Sequence, residues 1–168
     1  MVPGAALRQA LDRAYAALAP YPRPVAMDAS PLRDPVAILR RLTRAPLREV
    51  SGEDIGPYAG WAMTTVGNAD DYKHFLPRIL EVAVETGSWM GTHPEIIASR
   101  LERAGWRAWP AGEQNAVVAV FAAAFEQASL AHPDYGDASP WLCGVAVMGE
   151  PVGPPLQAWA ARMEELVP

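Results

Sequence analysis

The chain has 168 residues, 51% of them hydrophobic and 20% charged, the balance of one globular domain with a sizeable core rather than of a disordered chain. Nineteen acidic against 14 basic residues give a net charge of −5, so overall charge favours neither nucleic acid nor an anionic membrane surface. The one cysteine, Cys143, excludes an internal disulfide framework and a multi-cysteine zinc site, which suits a reducing cytoplasm, the expected location.

Arg8, Asp12 and Arg13 interrupt the N-terminal stretch, so it does not read as a signal peptide. Leu7, Leu11, Ala14, Tyr15 and Leu18 instead recur at helical spacing and predict a helix over Ala5–Ala19. Pro20, Pro22, Pro24 and Pro31 then make 20–34 an extended loop. Asp34-Pro35 supplies a cap and a first helical residue. The helix that follows should turn Val36, Leu39 and Leu42 inward and Arg40, Arg41 and Arg44 outward, and Pro46 should end it. Leu47–Val50 is compatible with extended chain. Ser51 with Asp54 resembles a capping arrangement for a helix over Gly52–Val66, with Gly67 as a left-handed cap.

Asn68–Glu85 is the most patterned segment. Tyr72, Phe75, Leu76, Ile79, Leu80 and Ala83 form one stripe, and Asp71, His74, Arg78, Glu81 and Glu85 the opposite one. Pro77 in its middle predicts a sharp kink or a division into two short helices. Thr92 and Glu95 read as a capping box for a helix that buries Ile97, Leu101 and Ala104 and stops at Gly105. Pro110 opens a long helix to Leu130, and Ala116–Phe125 within it is apolar all round, as in a central buried helix. That stretch is too short to span a bilayer, and no membrane partner is expected. A loop over 132–139 leads to a short helix over Trp141–Met148, where Val145 and Val147 make a strand the competing reading. After a second loop, 149–155, Pro155–Val167 is the last helix.

No segment alternates with a period of two. Seven or eight helices joined by short loops predict an all-α single domain over residues 1–168, either a helical bundle or a short solenoid-like stack of helix pairs.

Asp70 and His74 stand four apart, and Asp71, His74 and Arg78 share a helical face. A carboxylate beside an imidazole can orient it and make it an acid–base group, so these four are the candidate catalytic residues. Two ligands do not close a metal site, and no metal is expected. The plainer reading is a solvated face whose acidic start complements the helix dipole. His93 and His132 each precede a proline and read as turn residues. Cys143, between Leu142 and Gly144, reads as a buried free thiol.

Of the tryptophans Trp61, Trp89, Trp106, Trp109, Trp141 and Trp159, the pair Trp106 and Trp109 beside a turn is a candidate aromatic clamp, against the alternative that both wedge between helices. Arg33, Arg40 and Arg44 lie near one line on a helix, and Arg40 and Arg44 are candidates for binding a phosphate or an acidic partner. Without aromatic–basic interleaving, nucleic acid is disfavoured. The glycines form neither a phosphate loop nor a dinucleotide fingerprint, and no cofactor is expected.

Pro46-Leu-Arg-Glu-Val, Tyr58-x-x-x-Ala62-Met-Thr-Thr-Val-Gly, Asp70-Asp-Tyr-Lys-His-Phe-Leu-Pro-Arg-Ile-Leu-Glu81 and Gly105-Trp-Arg-Ala-Trp-Pro110 cover roughly the middle half of the chain. Together they resemble a group of uncharacterised bacterial proteins with an Asp-Asp-(Phe/Tyr)-(Lys/Arg)-His-Phe-Leu-Pro-Arg signature. The resemblance implies a helical fold and carries no established activity. The functional expectation is a non-enzymatic module that binds another protein. The alternatives are a ligand site or enzyme centred on His74, and an arginine-mediated binder.

Overall fold

The computed structural model describes residues 2–86, 90–131 and 138–166, the side chains of 131 and 162–166 apart. Trp89, His132 and most of the predicted 132–139 loop lie outside the described residues. The helices are α1 (Ala5–Leu18), α2 (Pro35–Leu42), α3 (Gly52–Trp61), α4 (Ala69–Thr86), α5 (Pro94–Arg103), α6 (Ala111–Ala131), α7 (Ser139–Val147) and α8 (Gly153–Leu166). Short 3-10 turns occupy Leu47–Glu49, Met90–Thr92 and Trp106–Ala108. Among the described residues there is no strand, so the all-α expectation holds and the competing strand at Val145–Val147 is excluded.

A solenoid stacks each unit only on its sequence neighbours. Here α1 packs chiefly on α6 and also on α4, both remote in sequence, so the architecture is a bundle. Its core joins Leu7, Leu11 and Leu18 of α1, Phe75, Leu76, Ile79 and Leu80 of α4, and Val117, Val120 and Phe121 of α6. Burial of each such side chain stabilises the fold by roughly 1.5–3 kcal/mol. The Gln127 side chain of α6 ties down the start of the chain, accepting from Gly4 N–H at 2.7 Å and donating to the Val2 carbonyl at 2.8 Å.

Two contacts require the absence of a side chain. A Cβ on Gly144 would stand 2.5 Å from the Phe121 ring, which sets the close approach of α7 to α6. A Cβ on Gly91 would stand 2.0 Å from the Gly60 nitrogen and 2.3 Å from the Gly56 carbonyl oxygen, backbone lying directly on backbone.

Several local expectations are corrected. α4 is one helix through Pro77 rather than two short ones, because burial of Tyr72, Phe75, Leu76, Ile79 and Leu80 along one side outweighs the one hydrogen bond the proline cannot donate. α3 stops at Trp61, short of Val66. Met63 turns left-handed at φ 61°, and the next residues bond instead to the 28–30 loop, with Ser30 N–H donating to the Thr65 carbonyl and Gly67 N–H to that of Asp28. Leu47–Glu49 is a 3-10 turn rather than extended chain. Thr92 ends a 3-10 turn, and the cap position of α5 is His93, whose Nδ1 lies 2.6 Å from Glu95. Cys143 is exposed, not buried. Of α2 only Leu42 is buried, and Val36, expected inside, is 74% exposed.

Candidate functional site

The start of α4 is a reciprocal cap. The Asn68 side-chain oxygen accepts from the N–H groups of Asp70 and Asp71 at 2.9 and 3.0 Å, and an Asp71 carboxylate oxygen accepts from Asn68 N–H at 3.1 Å. Burial pushes the Asp71 carboxyl above its ordinary range, and Asp28 and Asp70 push the same way, against the Asn68 N–H and His74. Asp70 itself is exposed.

His74 is half-buried, with its ring edge-on to Phe75 at 4.8 Å. Its Nδ1 lies 3.0 Å from the Tyr21 carbonyl oxygen, which can only accept, so Nδ1 carries the hydrogen. Arg78 donates from Nε to the Val50 carbonyl at 2.8 Å, and its Nη1 meets Glu81 at 2.8 Å and Glu85 at 3.3 Å. Tyr15 donates to the same Glu81 at 2.6 Å. Asp71, His74 and Arg78 therefore go to three separate tasks, Asp70 stays at the surface, and the four do not converge. Among the described residues no carboxylate bonds to His74, and no three His, Cys, Asp or Glu side chains are grouped to hold a metal.

The polar centre of the molecule is the residue between them. Lys73, the one lysine, is buried, with Nζ 2.6 Å from the Tyr21 hydroxyl and 2.9 Å from Glu113. Tyr21 in turn donates to Glu113 at 2.8 Å, and Nζ lies 4.3 and 4.4 Å from the ring centroids of Tyr21 and Trp109. Burial works against the ammonium, but the bonds to Tyr21 and Glu113 more than restore it, so the Lys73 pKa is raised. Lys73 clips the 20–34 loop to α4 and α6.

The aromatic clamp is also corrected. Trp106 is 1% exposed and donates to Glu102 at 2.5 Å, and Trp109, 7% exposed, donates to the Ala104 carbonyl at 3.2 Å. Both wedge between elements, and neither presents a face to a partner.

The arginine line divides as well. Arg33 stacks 3.9 Å over the Trp61 ring, and Arg48 pairs with Asp12 at 2.8 Å. Arg41 and Arg44 reach the buried Asp54, which also accepts from the Ser51 hydroxyl at 2.7 Å, so one carboxylate pins α2 to α3. Arg40 is exposed and has no ion pair among the described residues. It lines a groove of about 410 Å³ between α2 and the 25–27 segment, whose walls include Val25, Met27, Val36 and Leu39. Val25 is 96% exposed, Leu32 92% and Val36 74%, which with the N-terminal Val2 are the most exposed large apolar side chains among the described residues. The sequence signal for this face was the arginine run; nothing in the pattern pointed to Val25 or Leu32.

Among the described residues no helix is long and apolar enough to cross a membrane. Compared with known protein families, with curated proteins and with solved structures, the chain matches none.

Proposed function

We propose that this chain is a non-enzymatic interaction module, working in the bacterial cytoplasm, that docks an acidic amphipathic helix of another protein on the open face of α2. The observation that carries the reading is the coincidence of uncovered apolar side chains, Val25 and Val36, with Arg40 on one groove. Exposed apolar surface of this kind is costly to leave in water and is characteristic of interaction sites. The charge is complementary to an acid. Six of the 14 basic residues fall between Arg23 and Arg48 of a chain that is otherwise strongly acidic. The helix-in-groove mode supplies apolar anchors at helical spacing, and the arginines select acidic flanks and speed encounter.

We also assign the chain to the bacterial group whose Asp-Asp-(Phe/Tyr)-(Lys/Arg)-His-Phe-Leu-Pro-Arg signature it carries. What supports the assignment is the run Asp70–Arg78 itself, whose residues here cap α4, fill the core and hold Glu81, Glu113 and Tyr21.

The test is a titration of the full chain with a synthetic Leu/Glu amphipathic helix, followed by NMR. Shifts at Val25, Val36 and Arg40, weakened by salt and cut at least about tenfold by Val36→Asp, are expected. Equal binding of a Leu/Lys helix would sink the reading.

A further inference from the structure

A second concavity, of about 420 Å³, opens between α6, α7 and the segment entering α8. Its walls are apolar: Val118 and Phe125 of α6, Leu142 and Val145 of α7, Pro155 and Ala158 of α8. This is the side on which α6, expected to be buried on most sides, is left open at Ala122. The volume lies within the range of small-molecule sites, roughly 300–1,000 Å³, in which apolar walls bind and a few polar groups orient.

Two carboxylates, those of Glu126 and Glu150, line the same cleft, and among the described residues no basic side chain does. Glu126 has no ion pair among the described residues. Glu150 is fixed by the end of α7: Gly149 is left-handed at φ 70°, and Glu150 N–H donates to the Val145 carbonyl at 3.1 Å. Among the described residues its nearest cation is Arg107, bonded to the Met148 carbonyl and with Nη1 3.9 Å from Glu150, half-exposed to water, so the pairing only partly offsets the charge. One wall is firm, since Gly144 lets α7 close on Phe121 of α6, and the other can adjust, since α8 touches α6 only lightly.

We infer that this cleft binds a small apolar amine, its hydrocarbon body between α6, α7 and α8 and its ammonium against Glu126 and Glu150. A fatty acid or other apolar anion would meet two like charges and should bind more weakly. The site is separate from the α2 groove and does not depend on what binds there.

Calorimetry and NMR on the full chain with phenylbutylamine, phenylbutanol and phenylbutyrate test it. The amine should bind best, the alcohol about three- to tenfold more weakly and the acid weaker still, with shifts at Val118, Leu142 and Ala158. Glu126→Gln should bring the amine close to the alcohol. Ala122→Trp, at an exposed position whose indole would fill the mouth, should abolish binding of all three, and Val36→Asp should change nothing. Equal affinities for the three probes, shifts elsewhere, or no binding of the amine would each overturn the assignment.

Discussion

Lys73 and Arg40 are both cations beside apolar surface, and they differ in what covers them. Lys73 sits between two aromatic rings with its carboxylate, Glu113, supplied by the same chain, and both partners are buried. Arg40 stands on an open groove whose apolar walls face water. The first arrangement is complete and holds helices together. The second has a cation and apolar walls without the acid, the aromatic rings or a cover, and the proposed docking of an acidic helix would supply the acid and the cover.

The comparison can be broken most sharply at its closed end. Lys73→Ala leaves Glu113 buried without its cation and should destabilise the fold by about 3–5 kcal/mol in urea denaturation. The double change Lys73→Met with Glu113→Leu removes both charges and should recover most of that loss. A double variant as unstable as the single one would show that the rings, not the charges, carry the site.

Next in size is an alkaline effect. Burial raises the pKa of Tyr15, Tyr58 and Tyr72, and that of Lys73 is raised by its partners against burial. Because the unfolded chain releases these protons at about pH 10 while the folded chain keeps them, the stability they confer is present below about pH 10 and is lost as pH rises beyond it. The slope is about 1.4 kcal/mol per pH unit for each group. Tyr58→Phe should lower that slope by one group's worth. At neutral pH the same change should be close to neutral or stabilising, since the Tyr58 hydroxyl is buried with no hydrogen-bond partner among the described residues. Urea midpoints measured between about pH 8 and about pH 12 decide both.

Asp54→Ala tests the joint between the closed and open regions. It removes the carboxylate that Arg41, Arg44 and Ser51 share and should cost about 1–2 kcal/mol. Amide exchange in α2 should accelerate while α4 and α6 stay protected. Uniform acceleration would mean that α2 is no separate unit. The smallest effect on stability belongs to the open end: Val36→Asp and Arg40→Glu should each shift it by less than about 0.5 kcal/mol, because neither side chain is buried. A larger loss would make the α2 face structural.

What the sequence disclosed follows from range. Asp34 accepting from Ala37 N–H at 2.9 Å and Ser51 accepting from Asp54 N–H at 3.2 Å are bonds across three residues, readable as local patterns. The apolar stripes of α1, α4 and α5 were legible for the same reason, and they carry the all-α assignment. The Lys73 centre was not, since Tyr21 is 52 residues away and no spacing rule joins them. His74 misled because a pair at helical spacing gives proximity on a face without saying where each side chain's hydrogen bonds go; Asp71 turned back to Asn68 and His74 to Tyr21. α2 misled in another way. Periodicity identifies an apolar side, but whether another element covers it depends on the path of the 20–34 loop. That path is set by remote bonds, such as those of Tyr21 to Glu113 and of the Arg23 guanidinium to the Thr43 carbonyl.

Gly91 sets a limit of another kind. With the turn before α5 seated directly on the backbone of α3, every single-base change that replaces this glycine adds at least one carbon where there is no room, and the obstacle is main chain that no rotamer can move aside. In a saturation library sorted for folded protein, codon 91 should stay invariant while codon 36 drifts freely, so inheritance itself would trace the line between the part of this molecule that is fitted to itself and the part that is not.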